Sequence, residues 1–387
     1  MKLRAGNKIE LLEGGGQYFP ALEREIDASR REIFLEVYIF EFDVTGEKIA
    51  RSLMRAATRG LRVHLLVDGF GTRVIPETWR RQMREAGVQV LVFRPELSWF
   101  PLRHTRLRRL HRKLVVIDGR VGFCGGINIL DDVDSPDLAA PRFDYAVRVE
   151  GPLLADMHLA VRTTWRRTAW THLRRRWLPL LVPMTRRRVA GSQNAAFLVR
   201  DNFRHRRDIE QAYLARIESA RTEIVIANAY FLPGAEFRAA LCAACRRGVK
   251  VVLLLQGRVE YFLVHYATRA LYEELISAGV EIFEYHRGFL HAKVAVIDGQ
   301  WATVGSSNID PVSLLLAREA NILVEDETFA TELRASLFEA IRTGAESVTR
   351  ERWIRMGRLH RLIALMAYAV VRLLAGISSY GRASDFR

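Results

Sequence analysis

His111 and His291 each open the same pattern of residues. The first copy reads His111-Arg112-Lys113-Leu114-Val115-Val116-Ile117-Asp118-Gly119, the second His291-Ala292-Lys293-Val294-Ala295-Val296-Ile297-Asp298-Gly299. A small-residue turn and an asparagine follow each, Gly125-Gly126-Ile127-Asn128 and Gly305-Ser306-Ser307-Asn308. In both, Lys stands at +2 from the histidine, Asp at +7, Gly at +14 and Asn at +17. Residues two apart on a strand share a face, so His and Lys project together, and a returning strand can bring Asn beside them. The ammonium and amide would hold the non-bridging oxygens of a phosphate diester, while the imidazole attacks or shuttles protons. One short match of this kind is weak evidence; two in identical register are not an accident of composition.

The repeated pattern His-x-Lys-x4-Asp-x6-Gly-Ser/Gly-x-Asn resembles the phospholipase D superfamily. From about Leu11 onward the chain is similar to the bacterial cardiolipin synthases of B type, which lack N-terminal membrane helices. That resemblance implies an α/β fold of two tandem sandwich halves about a pseudo-two-fold axis, with the active site between them. It implies His111 as nucleophile, His291 as general acid and base, and Lys113, Lys293, Asn128, Asn308 and Ser306 on the phosphate oxygens. Asp118 and Asp298 enter the catalytic set as members of the motif. As Asp-Gly pairs closing a strand at its end away from His, they read rather as turn residues that bond their own backbone, whose loss would act through folding. One departure is Gly126, where the pattern has Ser, so the first half lacks that hydroxyl.

A working imidazole needs its second nitrogen held, usually by a carboxylate, to fix tautomer and ring angle. Phe143-Asp144-Tyr145-Ala146-Val147 follows the first copy and Arg318-Glu319-Ala320-Asn321-Ile322 the second, each an acid opening an apolar strand. By the resemblance Asp144 is the orienting acid of the first half and Glu319 that of the second. Aspartate here and Gly126 nearby predict unequal roles for the halves.

The elements that position these residues repeat in order. The apolar pattern predicts a loop over Gly14–Pro20, a helix from Ala21 to Arg31, a strand over Glu32–Phe40, a helix over Glu47–Thr58 and a strand over Leu61–Val67. The second half predicts a strand over Glu223–Asn228, a helix over Glu236–Arg246 and a strand over Val249–Leu255. Strand, helix and strand at matching offsets before each motif imply an internal duplication, with the boundary in a polar linker over Thr185–Asn194. The expected divisions are residues 1–190, 191–345 and a basic, apolar tail over 346–387.

With 49% apolar residues the chain is long enough to bury large cores, which argues against disorder. The net charge of +15 points to a polyanionic partner, either nucleic acid or an anionic membrane surface. Three cysteines give no disulfide framework, and Cys242-Ala-Ala-Cys245 lies in a helical pattern without a second pair to complete a zinc site. The N-terminus lacks the apolar core of a signal peptide, and no apolar run is long enough to span a bilayer. No metal or other cofactor is expected.

Interleaved Trp, Arg and apolar residues over Trp165–Val182 and over Arg352–Gly376 suit a membrane interface, and the basic run Arg103–Arg109 suits anionic head groups. The resemblance therefore implies a peripheral enzyme on the cytoplasmic side of the membrane. It would pass a phosphatidyl group from phosphatidylglycerol, or another phospholipid, to phosphatidylglycerol through a phosphohistidine, releasing glycerol. Its partners would be anionic phospholipids, not nucleic acid. A hydrolytic phospholipase D and a phospholipase D-like nuclease are the competing readings; a non-catalytic scaffold fits poorly with two intact His-Lys-Asn sets.

Overall fold

A computed structural model describes residues 2–72, 74–95, 109–131, 141–177, 188–201, 205–311, 317–351 and 357–378. The first half runs β1 (Arg4–Glu13), α1 (Gly14–Asp27), β2 (Glu32–Val37), α2 (Val44–Thr58), β3 (Arg62–Asp68), α3 (Glu77–Glu85), β4 (Gln89–Phe93), β5 (Leu114–Ile117), β6 (Val121–Gly125), β7 (Tyr145–Glu150) and α4 (Leu154–Thr171). The second runs β8 (Gln193–Arg200), α5 (Asp208–Ser219), β9 (Glu223–Asn228), α6 (Ala235–Arg246), β10 (Lys250–Gln256), α7 (Phe262–Arg269), α8 (Tyr272–Ser277), β11 (Glu281–Tyr285), β12 (Lys293–Ile297), β13 (Trp301–Gly305), β14 (Glu319–Glu325) and α9 (Glu327–Gly344). A short β15 (Ala345–Ser347) and a helix α10 (Gly357–Ser378) follow.

The strand order is β15-β11-β10-β9-β12-β13-β14-β8-β1-β7-β6-β5-β2-β3-β4. Read outward from the antiparallel β1–β8 join, both directions give the same succession, which is the pseudo-two-fold relation of a duplicated chain. In each half the strand–helix–strand segment makes a parallel block, β2-β3-β4 and β9-β10-β11, and the motif hairpin joins it antiparallel, β5 on β2 and β12 on β9. Every residue of β2 is buried, as an apolar run covered on both faces requires.

Three apolar cores result. One lies under α1, α2 and α3, and one under α5, α6 and α8. The third is shared: Leu114, Val116 and Val147 of the first half pack with Val294, Val304 and Ile322 of the second, closed by Trp165 of α4 and Leu333 of α9. The halves are therefore held by a common core, not a linker.

Several expectations are corrected. Gly14 to Pro20 form the first turns of α1 and not a loop, because Tyr18, Ala21, Leu22 and Ile26 bury one helical face. Gly14, at φ +64, turns the chain from β1 into that helix, and its N–H donates to the Asp144 carbonyl at 2.8 Å. Trp165 is core and not interface: its indole stacks near Trp177 and donates to that residue's carbonyl at 2.9 Å. Trp170 and Leu173 of the same segment are exposed, and Leu178–Val182 lie outside the described residues. Thr185–Arg187 of the linker lie outside them too, whereas Ala190 and Gly191 run along β1 and bond the Gly6 carbonyl. The division at 345 falls inside the sheet, since β15 pairs antiparallel with β11. Cys242 and Cys245 sit on α6, where burial pushes both thiols up from their ordinary range.

Candidate active site

Each motif is a hairpin with its histidine just before the first strand and its aspartate in the turn at the far end. Asp118 and Gly119 have φ of 55 and 59, Asp298 and Gly299 of 53 and 65, the two left-handed residues of a type I′ turn. The Asp118 carboxylate accepts from the backbone N–H of Arg30, Arg31 and Glu32, and Asp298 from those of Arg221, Thr222 and Glu223 and from the Thr222 hydroxyl. Burial raises the Asp298 carboxyl, but these donors outweigh it and leave the group below its ordinary value. Neither aspartate reaches the histidines, so their place in the catalytic set is corrected: they tie the turn to the start of the central strand. Asp298→Ala is expected to lower stability by about 2–4 kcal/mol, the scale of losing an ionised acceptor from several amides. Urea denaturation would measure this, with turnover per folded molecule within about twofold of wild type.

The orienting acids cross the axis. His111 Nδ1 lies 3.0 and 3.2 Å from the two Glu319 oxygens, and His291 Nδ1 lies 2.5 Å from Asp144 Oδ2. Each half supplies one acid, and each histidine takes the acid of the other half. Within one half β6 separates the strand after the histidine from the strand after the acid, a gap of two strand spacings, or about 10 Å. Across the axis the backbones touch: the His111 N–H donates to the Arg318 carbonyl at 3.0 Å and the His291 N–H to the Phe143 carbonyl at 2.8 Å. Parallel bridges Leu110–Arg318 and Phe143–Leu290 complete these twin contacts.

Ser306, expected on the phosphate, belongs to this orienting system. Its hydroxyl donates to Glu319 at 2.6 Å, accepts from the Ala320 N–H at 3.0 Å, and is fully buried. Gly126 occupies the equivalent place, and a Cβ there would fall 2.3 Å from Asp144 Oδ1. The two departures noted in the sequence are thus one adjustment, Gly with the shorter acid and Ser with the longer. Asp144 also accepts from the Tyr145 N–H at 2.8 Å and lies 3.9 Å from Lys293 Nζ.

Both lysines are buried and donate to the carbonyl of their own histidine, Lys113 at 2.8 Å. Burial, opposed by Glu319 and assisted by Lys293, lowers Lys113 to about 7; burial, opposed by Asp144 and Glu319, lowers Lys293 to about 8. Burial also lowers both imidazoles. Glu319 offsets part of this at His111, whereas Lys293, Arg142, Lys113 and His111 all depress His291 further. The four side chains thus share one electrostatic site, with neutral imidazoles at pH 7. Asn128 lines a small cavity with His291, Asp144 and Arg142, and its Oδ1 accepts from the Ile39 N–H at 3.2 Å. Asn308 is buried on the equivalent turn of the second half.

A phosphate diester keeps a single charge across neutral pH, so the lysines supply the pH dependence of its binding. The anion raises their proton affinity, and binding therefore takes up protons where the free lysines are losing them. Affinity for glycerophosphoglycerol is expected to fall about tenfold or more from pH 6.5 to pH 9. Calorimetry in buffers of different ionisation enthalpy should register proton uptake, reduced in Lys113→Met. The same depressed values mean that the unfolded chain binds more protons between about pH 7 and 10, so stability rises with pH in that window.

Four residues were missed from sequence. Tyr38 sets its ring edge-on to His111 at 4.7 Å and beneath Lys113 Nζ at 5.3 Å. Arg142, two before Asp144, reaches toward His291. Glu36 and Arg112 approach to 3.7 Å, both buried behind His111, where register places Ala227 and Ala292 in the second half. The visible signal was Arg112 against Ala292 in the repeated motif, and an acid inside the apolar Ile33-Phe34-Leu35-Glu36-Val37.

A family model described as "Cardiolipin synthase, PLD-like domain" matches residues 22–132 and 213–341, one segment in each half. Cardiolipin synthase B of Escherichia coli (strain K12) is 39% identical over 345 residues, spanning 89% of this chain and 83% of that one. Cardiolipin synthase B of Salmonella typhi is 41% identical over 334 residues, 86% and 80% of the two chains. Cardiolipin synthase A of Pseudomonas fluorescens is 32% identical, covering 97% and 76%. Among solved structures, phosphatidylserine synthase of Haemophilus influenzae superposes with a TM-score of 0.69 at 13% identity, over 95% of this chain and 93% of that one. Polyphosphate kinase from Porphyromonas gingivalis gives 0.60 at 15% identity, over 97% and 54%. At such identities these two likenesses speak for the fold alone.

Proposed function

Since the chain belongs to the bacterial cardiolipin synthases of the phospholipase D-like fold, we propose that its crossed imidazoles pass a phosphatidyl group between two phosphatidylglycerol molecules. It is a phosphatidyltransferase that joins two phospholipids into cardiolipin. The observation that carries the mechanism is the pair of imidazoles held at Nδ1 by acids of opposite halves, which makes Nε2 the reactive nitrogen of each.

In the first step His111 Nε2 donates its lone pair to phosphorus and the bond to the head-group glycerol breaks. His291 gives the departing oxygen its proton, so glycerol leaves neutral. The diester's charge makes this protonation possible, because it offsets the ammonium groups that depress His291 in the free site. In the second step His291 takes the proton of the acceptor's hydroxyl, that oxygen attacks phosphorus, and the P–N bond breaks to restore His111. Lys113, Lys293 and Asn128 stabilise charge on the equatorial oxygens in both steps.

A cavity of ≈ 740 Å³ beside Arg142 and Phe143, lined also by Phe19, Ile49 and Tyr285, has the size and mixed character for the glycerol backbone and first methylenes of one lipid. Substrates and surface partners are anionic phospholipids, met from the cytoplasmic side, with the tail helix α10 as an anchor that lies in the interface. Among the described residues no helix is long and apolar enough to cross a membrane. Incubation with vesicles of labelled phosphatidylglycerol, with products resolved by chromatography, tests the reading: cardiolipin and glycerol in equal amounts are expected. Phosphatidic acid as main product would make the protein a hydrolase, and cleavage of DNA without lipid turnover a nuclease.

A further inference from the structure

The active site opens at the end of the sheet where the parallel strands finish, the usual site of ligand entry in such sheets. Two loops of opposite halves frame that opening, one after β3 and one after β10. Each is tied to the residue before a catalytic histidine: Asp68 Oδ2 accepts from the Leu110 N–H at 2.8 Å, and Gln256 Oε1 from the Leu290 N–H at 3.3 Å. Loops at such a place are ordinarily polar, yet both present large apolar side chains to solvent. Phe70 is 48% exposed and Val74 72% on the first; Val259 is 53% and Tyr261 58% on the second, continued by Phe262 at 55% and Leu263 on α7. Single exposed apolar residues need no explanation; this group is repeated by the pseudo-symmetry and confined to the mouth of the cleft.

Arginines alternate with aromatic rings over the same region. Arg109 lies over Phe70 at 4.9 Å, Arg94 over Phe93 at 5.6 Å, and Arg142 and Arg258 over Phe289 at 5.4 and 5.9 Å. Guanidinium beside aromatic ring is the chemistry of the head-group layer, where the cation meets phosphate and the ring sits at the polar–apolar boundary. Helix α10 packs on α7 through Ala364 and Ala367 and turns Leu362, Leu365, Met366 and Leu373 outward at helical spacing. Phe262 and Leu263 of the rim and that outward stripe are thus carried by one pair of packed helices.

We infer that the rim of the cleft is the membrane-docking surface, with Phe70 and Val74 of one half and Val259, Tyr261, Phe262 and Leu263 of the other entering an anionic leaflet around the active-site mouth. The diester of a lipid then reaches His111 and His291 while its acyl chains stay in the bilayer, and both substrates enter laterally from one leaflet. The tail helix becomes an extension of the rim, not a separate anchor. Charge complementarity selects the partner, since arginines stand among the rings of the rim and the chain carries +15 overall. This inference rests on the reading of the site as a phospholipid transferase.

The test uses the full chain and vesicles of phosphatidylglycerol and phosphatidylcholine. The variant Val259→Asp/Phe262→Asp/Leu263→Asp is expected to lose at least tenfold in flotation with vesicles and in activity on them. Turnover of a short-chain, monomeric phosphatidylglycerol should stay within about twofold. Independently, Phe262→Cys and Val74→Cys carrying an environment-sensitive dye should brighten on vesicles and be quenched by doxyl-labelled acyl chains. Vesicle binding of the triple variant within twofold of wild type overturns the inference, as do dyes that stay unquenched on vesicle-bound protein. Should the triple variant not fold, the two dyes decide. Quenched dyes without cardiolipin would keep the rim and sink the transferase reading; cardiolipin with unquenched dyes would do the reverse.

Discussion

Replacing His111 with asparagine is expected to lower phosphatidyl transfer by about 10⁴-fold or more, with little change in stability. In the proposed mechanism this side chain is the attacking group, and nucleophile and proton-transfer roles each carry several orders of magnitude. His291→Asn should fall similarly for a different reason, since without its proton the glycerol must leave as an alkoxide. The two variants separate on trapping. With phosphorus-labelled phosphatidylglycerol and an acid quench, wild type should carry label on His111. His291→Asn should accumulate what label it forms there, because the same residue activates the acceptor alcohol. Label on His291 in wild type would reverse the order of the two histidines. The site itself distinguishes them: burial and both lysines lower each imidazole, but Glu319 offsets part of this at His111, whereas Arg142 and His111 add to it at His291.

Glu319→Gln is expected to cost about 10²–10⁴-fold in kcat, on the scale known when an orienting acid of a catalytic imidazole becomes an amide. An amide can present its N–H to Nδ1 and favour the tautomer whose Nε2 carries the proton, which cannot attack. Loss of the charge also removes a group that raises His111, so the acidic limb of kcat/KM should move to lower pH. Asp144→Asn should act on His291 in the same manner. The crossed geometry makes a sharper demand, readable by NMR of the imidazole ring protons: Glu319→Gln should shift His111, and Asp144→Asn should shift His291. Shifts confined to the histidine of the same half would contradict the crossing.

Much of the fold was legible because its signals are local. Val-Val-Ile before Asp-Gly is a strand meeting a tight turn wherever it occurs, and the +2 spacing puts His and Lys on one face regardless of what lies opposite. Repetition then implied an internal duplication, and the family resemblance implied its pseudo-two-fold axis, which the strand order displays about β1 and β8. Where the reading erred, a local signal was outweighed by packing. Three glycines and a proline look like a loop, yet the apolar face of Tyr18, Leu22 and Ile26 makes that stretch a helix. Trp and Arg in alternation look interfacial, yet Trp165 closes the shared core.

What the chain determined by itself is the chemistry: two His-Lys pairs, an asparagine on each return and an acid opening each following strand. Tertiary structure alone decided who serves whom, because alternation reports that a side chain is buried and not against what. Glu319 stands 208 positions from His111, and only the docking of the halves, through backbone bonds at Arg318 and Phe143, brings acid and imidazole together. Pairing of β13 with β14 inside the second half gave Ser306 to Glu319, and the docking set the apolar loops of both halves around one opening. Such pairings follow from the axis between the repeats, a relation that no single segment of sequence encodes.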